Sequence, residues 1–211
     1  VSDNEAMFSA EECGHFYIKN GDTIIIEPIA NANYQHLKAY LLSRSFALLM
    51  FQRNTIALHG SSILFDNKAY VFCGRSGTGK STQADLWSKY EGAKIINGDK
   101  TGIRQLGEQW TAYGLPFAGT SNIFINDKVP ISCIIVLRQG KENKIRKLSK
   151  KEAFVKIYSE TIIKTWDKVY QNDIINTILN LLTDIPVYLY ECLPNEEAVY
   201  FLKSKLEGDI K

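Results

Sequence analysis

The stretch Gly74-Arg75-Ser76-Gly77-Thr78-Gly79-Lys80-Ser81 limits what this chain can fold into more than any other. It fits G-x-x-x-x-G-K-[ST] at every fixed position, and the apolar run Tyr70-Val71-Phe72-Cys73 stands directly before it. Thr82-Gln83-Ala84-Asp85-Leu86-Trp87 follows and reads as the opening of a helix. Strand, glycine loop and helix in that order turn a string match into a mechanism. The glycines let the backbone curl until the N–H groups of Gly77, Thr78, Gly79 and Lys80 point inward at a phosphate. The helix N-terminus adds the positive end of its dipole. Lys80 supplies a cation for the outer phosphates, and the Ser81 hydroxyl joins the coordination of Mg²⁺. Thr82 steadies the α-phosphate or the helix start, and Arg75, inside the loop, is either solvated or within reach of a phosphate. The plain alternative is a glycine-rich turn that binds nothing.

Around this loop the chain reads as alternating strands and helices. Asn20-Gly21 between His15-Phe16-Tyr17-Ile18 and Thr23-Ile24-Ile25-Ile26 predicts a hairpin. From Tyr34 to about Arg53 the apolar positions recur at helical spacing. Ile56 to Phe65, a tight turn at Asp66-Asn67-Lys68, and Tyr70 to Cys73 make a β-hairpin that leads into the glycine loop. Strands are predicted at Lys94–Asn97, Thr101–Leu106, Trp110–Tyr113, Ile131–Leu137, Lys144–Leu148 and Pro186–Cys192. Ser149-Lys150-Lys151-Glu152 matches a capping box, a further helix is expected from Asp167 to Thr183, and Asn195 caps the last. With 211 residues, 45% of them hydrophobic, there is enough apolar material for one sizeable core. The expected architecture is α/β, a mixed sheet flanked by helices. Residues 1–55 form an N-terminal hairpin and helix packed on a core of residues 56–211, one structural domain overall.

Charge and cysteine usage narrow the partners. A net charge of +2 argues for neither nucleic acid nor an anionic membrane. No apolar run reaches transmembrane length. Cys13, Cys73, Cys133 and Cys192 are far apart, form no C-x-x-C pair, and suggest neither a disulfide framework nor a zinc site. A reducing cytoplasm is the expected location.

Two residues outside the loop are candidates for chemistry. Asp99 lies just past the strand Lys94–Asn97, where a Mg²⁺-organising carboxylate is expected downstream of such a loop. It is equally a residue type that caps a strand exit in a turn. His59, in the approach hairpin, titrates near neutrality and is usable for proton transfer or phosphoryl contact. The other reading is a core histidine bonded to backbone. Arg104 and Arg138 are candidate anion contacts, and Thr120-Ser121-Asn122 reads as a plain loop.

Taken together, the loop, its hairpin and the Asp99 strand resemble HPr kinase/phosphorylase, of the phosphoenolpyruvate carboxykinase-like P-loop superfamily. The resemblance runs residue by residue over about Ile56 to Ile103. His59-Gly60 lies the same distance before the loop as the family's active-site His-Gly, and Asp99 stands at its acidic position. Trp110 to Glu142, with Ala112-Tyr113-Gly114-Leu115-Pro116, and the ending with Asn195-Glu196-Glu197-Ala198 look like a compact branch of HPr-kinase-related proteins. The chain departs from the family in three places. Gly98-Asp99 replaces two adjacent aspartates, the arginine- and glycine-rich signature with its metal-binding glutamate is missing, and a short hairpin and helix replace the N-terminal domain. The resemblance implies an ATP-dependent, Mg²⁺-requiring kinase with Lys80, Asp99 and His59 in catalytic roles, Gly74 to Thr82 binding nucleotide, and Ser81 with Asp99 on the metal. The acceptor is a serine or other hydroxyl of a protein, peptide or small molecule. Because the family oligomerises, a homo-oligomer is implied as well. A nucleotide-binding regulatory module without catalysis, and a carboxykinase-like enzyme, are the alternatives.

Overall fold

The computed structural model describes residues 4–162 and 168–209. Strands β1 (Glu5–Ala10), β2 (Gly14–Lys19) and β3 (Thr23–Pro28) pair antiparallel in that order. The turn between β2 and β3 falls at Asn20 and Gly21, both with left-handed backbone. Alternate residues of β1 and β2 (Ala6, Phe8, Ala10, Phe16, Ile18) are buried, and Phe8 stacks on Phe16 with ring centroids 4.8 Å apart. The predicted Tyr34–Arg53 helix forms as α1 (Tyr34–Tyr40), a π-helical stretch Leu41–Ser45, and α2 (Phe46–Phe51). At the irregularity the Ser43 hydroxyl donates to the Ala39 carbonyl at 2.5 Å, competing with the regular backbone ladder.

Strand β4 (Thr55–Phe65) returns as β5 (Lys68–Cys73) through Asp66 and Asn67, at φ 47° and 60°. Two successive left-handed residues are what a tight hairpin turn needs. Then follow α3 (Lys80–Glu91), β6 (Lys94–Asn97), β7 (Lys100–Leu106), β8 (Gln109–Gly114) and β9 (Lys128–Gln139). The described chain continues with β10 (Lys144–Lys147), α4 (Lys150–Glu160), α5 (Lys168–Asp184), β11 (Val187–Cys192) and α6 (Glu196–Asp209). Asp167, the expected start of α5, lies outside the described residues, as do 1–3 and 210–211 at the ends of the division at 55/56.

The main sheet runs β10-β11-β9-β5-β4-β7-β8, with β6 also on β4 and β8 also on β9. β9 is parallel to β5 and β11, while β4 is antiparallel to β5, β6 and β7, so the sheet is mixed. The long strands β4 and β9 each serve two sets of neighbours, and the pairings β4–β7–β8–β9–β5–β4 close on themselves. Period-two alternation sends Ala69, Val71 and Cys73 of β5 into one apolar cluster and Tyr70 and Phe72 into the other. The first cluster includes Phe16, Leu48, Ile157 and Leu181, from the N-terminal strands, α2, α4 and α5. The second includes Trp87, Val199 and Leu202, from α3 and α6. With both faces covered, the stretches Ala69–Cys73 of β5 and Cys133–Leu137 of β9 are apolar without interruption, as buried parallel strands are.

Candidate functional site

The glycine loop leaves the C-terminal end of β5 and delivers its chain to the first turn of α3. Gly77 and Gly79 sit at φ 81° and 100°, with nothing within 4 Å of where a Cβ would stand. Backbone conformation, not space, requires glycine there. Lys80 is only 8% exposed, and its ammonium donates to the carbonyls of Gly74 at 2.8 Å and Arg75 at 3.2 Å. The Thr78 hydroxyl also donates to Arg75 O, at 2.9 Å. The Gln139 side chain, at the end of β9, donates to Gly77 O at 2.8 Å and ties the loop to the sheet. Ser76, Ser81 and Thr82 complete the loop and the helix entry, and Arg75 and Ser76 are exposed.

One peptide carbonyl joins this loop to the Asp99 strand. Gly98 O accepts from Ser81 Oγ at 3.3 Å and from the buried Ser61 Oγ at 2.8 Å. The turn itself is organised by Asn97, whose Oδ1 accepts from Asp99 N at 2.9 Å and Lys100 N at 2.8 Å. The other end of its carboxamide donates to Leu115 O at 2.8 Å and holds the following loop. Asn97 is fully buried, so these bonds compensate its desolvation.

His59 and Asp99 meet above this turn. His59 Nδ1 is 3.4 Å from Asp99 Oδ1, and Lys100 Nζ is 3.4 Å from Asp99 Oδ2. The backbone fixes the pair, because Gly60 N donates to Asp99 O at 2.8 Å and His59 is opposite Lys100 in the β4–β7 register. Burial, and after it the Lys80 ammonium, push the imidazole below its ordinary value, with Asp99 opposing. A neutral ring with its proton on the Asp99 side keeps a lone pair on Nε2.

The Ser81 hydroxyl, on the Gly98 carbonyl, and the carboxylate of the next residue, Asp99, are hard oxygen donors of the kind Mg²⁺ takes from a protein. Among the described residues no group of three or more His, Cys, Asp or Glu side chains could hold a metal by itself. Arg138 pairs instead with Glu191 at 3.1 Å, and Arg104 lies opposite Thr55, at the far end of the β4–β7 pairing from His59.

Sequence reading missed three contributors: Asn97, Ser121 and Gln139. Asn before Gly-Asp is a recognisable turn signal; the other two owe their positions to tertiary contacts. Ser121 is the most informative. A Cβ on Gly98 would stand 2.1 Å from Ser121 Oγ, so the loop after β8 occupies the space a second acidic side chain would need. The same loop brings Gly119 so close to Asp99 that a Cβ there would be 2.8 Å from the carboxyl carbon.

No protein-family model matches the chain, and no curated protein matches it. In structure it is similar to the Hpr(Ser) kinase/phosphatase from Coxiella burnetii, at 14% sequence identity and a TM-score of 0.41, over 72% of this chain and 93% of that one. A likeness of that size leaves the chemistry of this site to its own residues. No helix among the described residues is long and apolar enough to cross a membrane.

Proposed function

We propose that this chain is an ATP-binding, Mg²⁺-dependent phosphotransferase resembling HPr kinase, acting on a serine or other hydroxyl of a protein, peptide or small molecule. The observation that carries the reading is the buried Lys80 held inside the glycine loop, with the Ser81 hydroxyl on the Gly98 carbonyl and the His59–Asp99 pair at the next residue. Phosphoryl transfer asks a protein for positioning and charge neutralisation, and this group supplies both. The inward amides of Gly77 to Lys80 hold the phosphates, and the Lys80 ammonium exchanges the carbonyls of Gly74 and Arg75 for phosphate oxygens. Ser81 and Asp99 would hold Mg²⁺, which would neutralise charge on the phosphates. The acceptor oxygen bonds to the γ-phosphorus as the bond to the β-γ bridging oxygen breaks and ADP leaves. The hydroxyl proton passes to His59 Nε2, with Asp99 orienting the ring through Nδ1. The cytoplasm is the proposed compartment, a setting that suits four buried free thiols.

One observation favours a second reading, a nucleotide-binding regulatory module without turnover: Ser121 fills the space beside Gly98. Mg²⁺-dependent ATP binding by thermal shift, followed by ADP release with and without hydroxyl acceptors, separates the two. Turnover supports the transferase, and tight binding with no turnover for any acceptor supports the module. Lys80→Ala is expected to weaken ATP binding at least tenfold, while Asp99→Asn keeps most nucleotide affinity and loses Mg²⁺-dependent turnover. Wild-type activity in Asp99→Asn removes that carboxylate from the mechanism, and no ATP binding by the wild type ends the proposal.

A further inference from the structure

Away from the glycine loop, a cavity of about 590 Å³ opens where α6 lies over the β10–β11 edge of the main sheet. Its size falls within the range of small-molecule sites. Ile145 and Lys147, two apart on β10, share a face of the strand, and Phe201 and Lys205, four apart on α6, share a face of the helix. Ile145 is opposite Tyr190 in the strand pairing, and Phe201 stacks on the same Tyr190 with ring centroids 6.1 Å apart. That is the apolar end. Helix α6 folds back over β11, its Ala198 O accepting from the Tyr190 hydroxyl at 2.7 Å, so it runs the same way as β10. Two residues of strand and four of helix both advance about 6 Å. Lys147, opposite Tyr188, and Lys205 therefore stand together at the other end. The remaining charges of the lining are already matched: Lys144 by Glu142, Arg146 by Glu152 at 2.7 Å, and Glu191 by Arg138 at 3.1 Å. Lys147 and Lys205 have no ion pair among the described residues.

We infer that this cavity is a binding site for a small organic anion with an apolar ring system, the ring lying on Ile145 and Phe201 and the acid group meeting Lys147 and Lys205. Covering the two apolar side chains removes their surface and the ring's from water. The lysine stems lie along the cavity while their ammonium groups stay at its rim, where an acid group can be met without full desolvation. A neutral molecule of the same shape gains the first contribution alone, so the two lysines determine specificity. The cavity shares no residue with the glycine loop, and the inference stands apart from the phosphotransferase reading.

The test titrates the full chain with anilinonaphthalene sulfonate and with N-phenylnaphthylamine, the same ring skeleton with and without the acid group, and follows their fluorescence. The sulfonate is expected to saturate a single site roughly tenfold tighter than the amine at low salt, the effect of two partly exposed ion pairs, with the advantage shrinking as sodium chloride is added. Lys147→Met combined with Lys205→Met, which keeps the apolar stems, is expected to bring the ratio near one and to leave affinity for the amine unchanged. Ile145→Ser is expected to weaken both probes together. Lack of saturable sulfonate binding, equal affinity of the wild type for the two probes, or an undiminished ratio in the double lysine variant overturns the inference. ATP affinity measured on the same proteins is expected to be the same in wild type and variants, and its presence or absence bears on the glycine loop alone.

Discussion

Ser121 Oγ donates to Ala118 O at 2.6 Å and accepts from Ile123 N at 3.3 Å, which fixes it over Gly98. The two residues act as a complementary pair: one lacks a side chain where the other's hydroxyl is seated. An aspartate at 98 would have to displace that loop. Gly98→Asp is therefore expected to lower stability by about 1–3 kcal/mol, the usual cost of overpacking, and to reduce rather than raise turnover. The double variant Gly98→Asp/Ser121→Gly is expected to recover most of the stability, as read by urea denaturation. A single variant as stable as the parent would mean that the loop yields freely. Legibility at this scale followed locality. The glycine loop, Asp99 and His59 stood out because a short motif and its spacing expose them, whereas Ser121 reaches Gly98 only through the path of the chain between β8 and β9.

Helix α4 shows an element whose start is written in four residues. Ser149 Oγ accepts from Glu152 N at 3.4 Å, and Glu152 accepts from Ser149 N at 3.0 Å, the reciprocal capping box. Arg146 donates to the same carboxylate at 2.7 Å and, first among the causes, holds the Glu152 carboxyl down at about 2, with the Ser149 bonds adding to it. Because the folded value lies below the ordinary one of 4.5, the stabilisation is fully present above that pH and is lost as pH falls from there toward about 2. Glu152→Gln should therefore melt at a lower temperature than the parent at pH 6, with the gap closing by pH 2 in a circular-dichroism series. A gap independent of pH would assign the effect to packing. Strands and caps were legible because period-two runs and Ser-x-x-Glu are local patterns. The π-helical stretch Leu41–Ser45 was not, since its sequence keeps ordinary helical spacing and the departure arises where Ser43 bonds back to Ala39.

At the scale of the whole molecule, Phe16 of the N-terminal sheet shares one apolar cluster with Leu58, Val71, Ile134 and Leu181. It is fully buried, so Phe16→Ala is expected to cost about 3–5 kcal/mol. The loss should appear as one shifted transition, with tryptophan fluorescence and far-ultraviolet circular dichroism coincident. Separate transitions would show that the first three strands melt alone. The mixed order of the sheet and its helix-covered faces could be anticipated from apolar runs and the hairpin before the glycine loop. The circuit through β8 and β9 could not, because pairing partners far apart in sequence leave no local trace. That circuit has a consequence for how the chain acquires its shape. β9 joins β8 through residues 128–130, β5 through 131–136 and β11 through 134–139, and Ile134 N donates to Pro186 O beyond α5. Strands separated by so much chain meet only after long loops have closed, which makes the search slow and topology-limited. The strand beside the one that carries the glycine loop is supplied by residues 128–139, so a chain that ends before β9 carries the full glycine loop and lacks the neighbour that frames it.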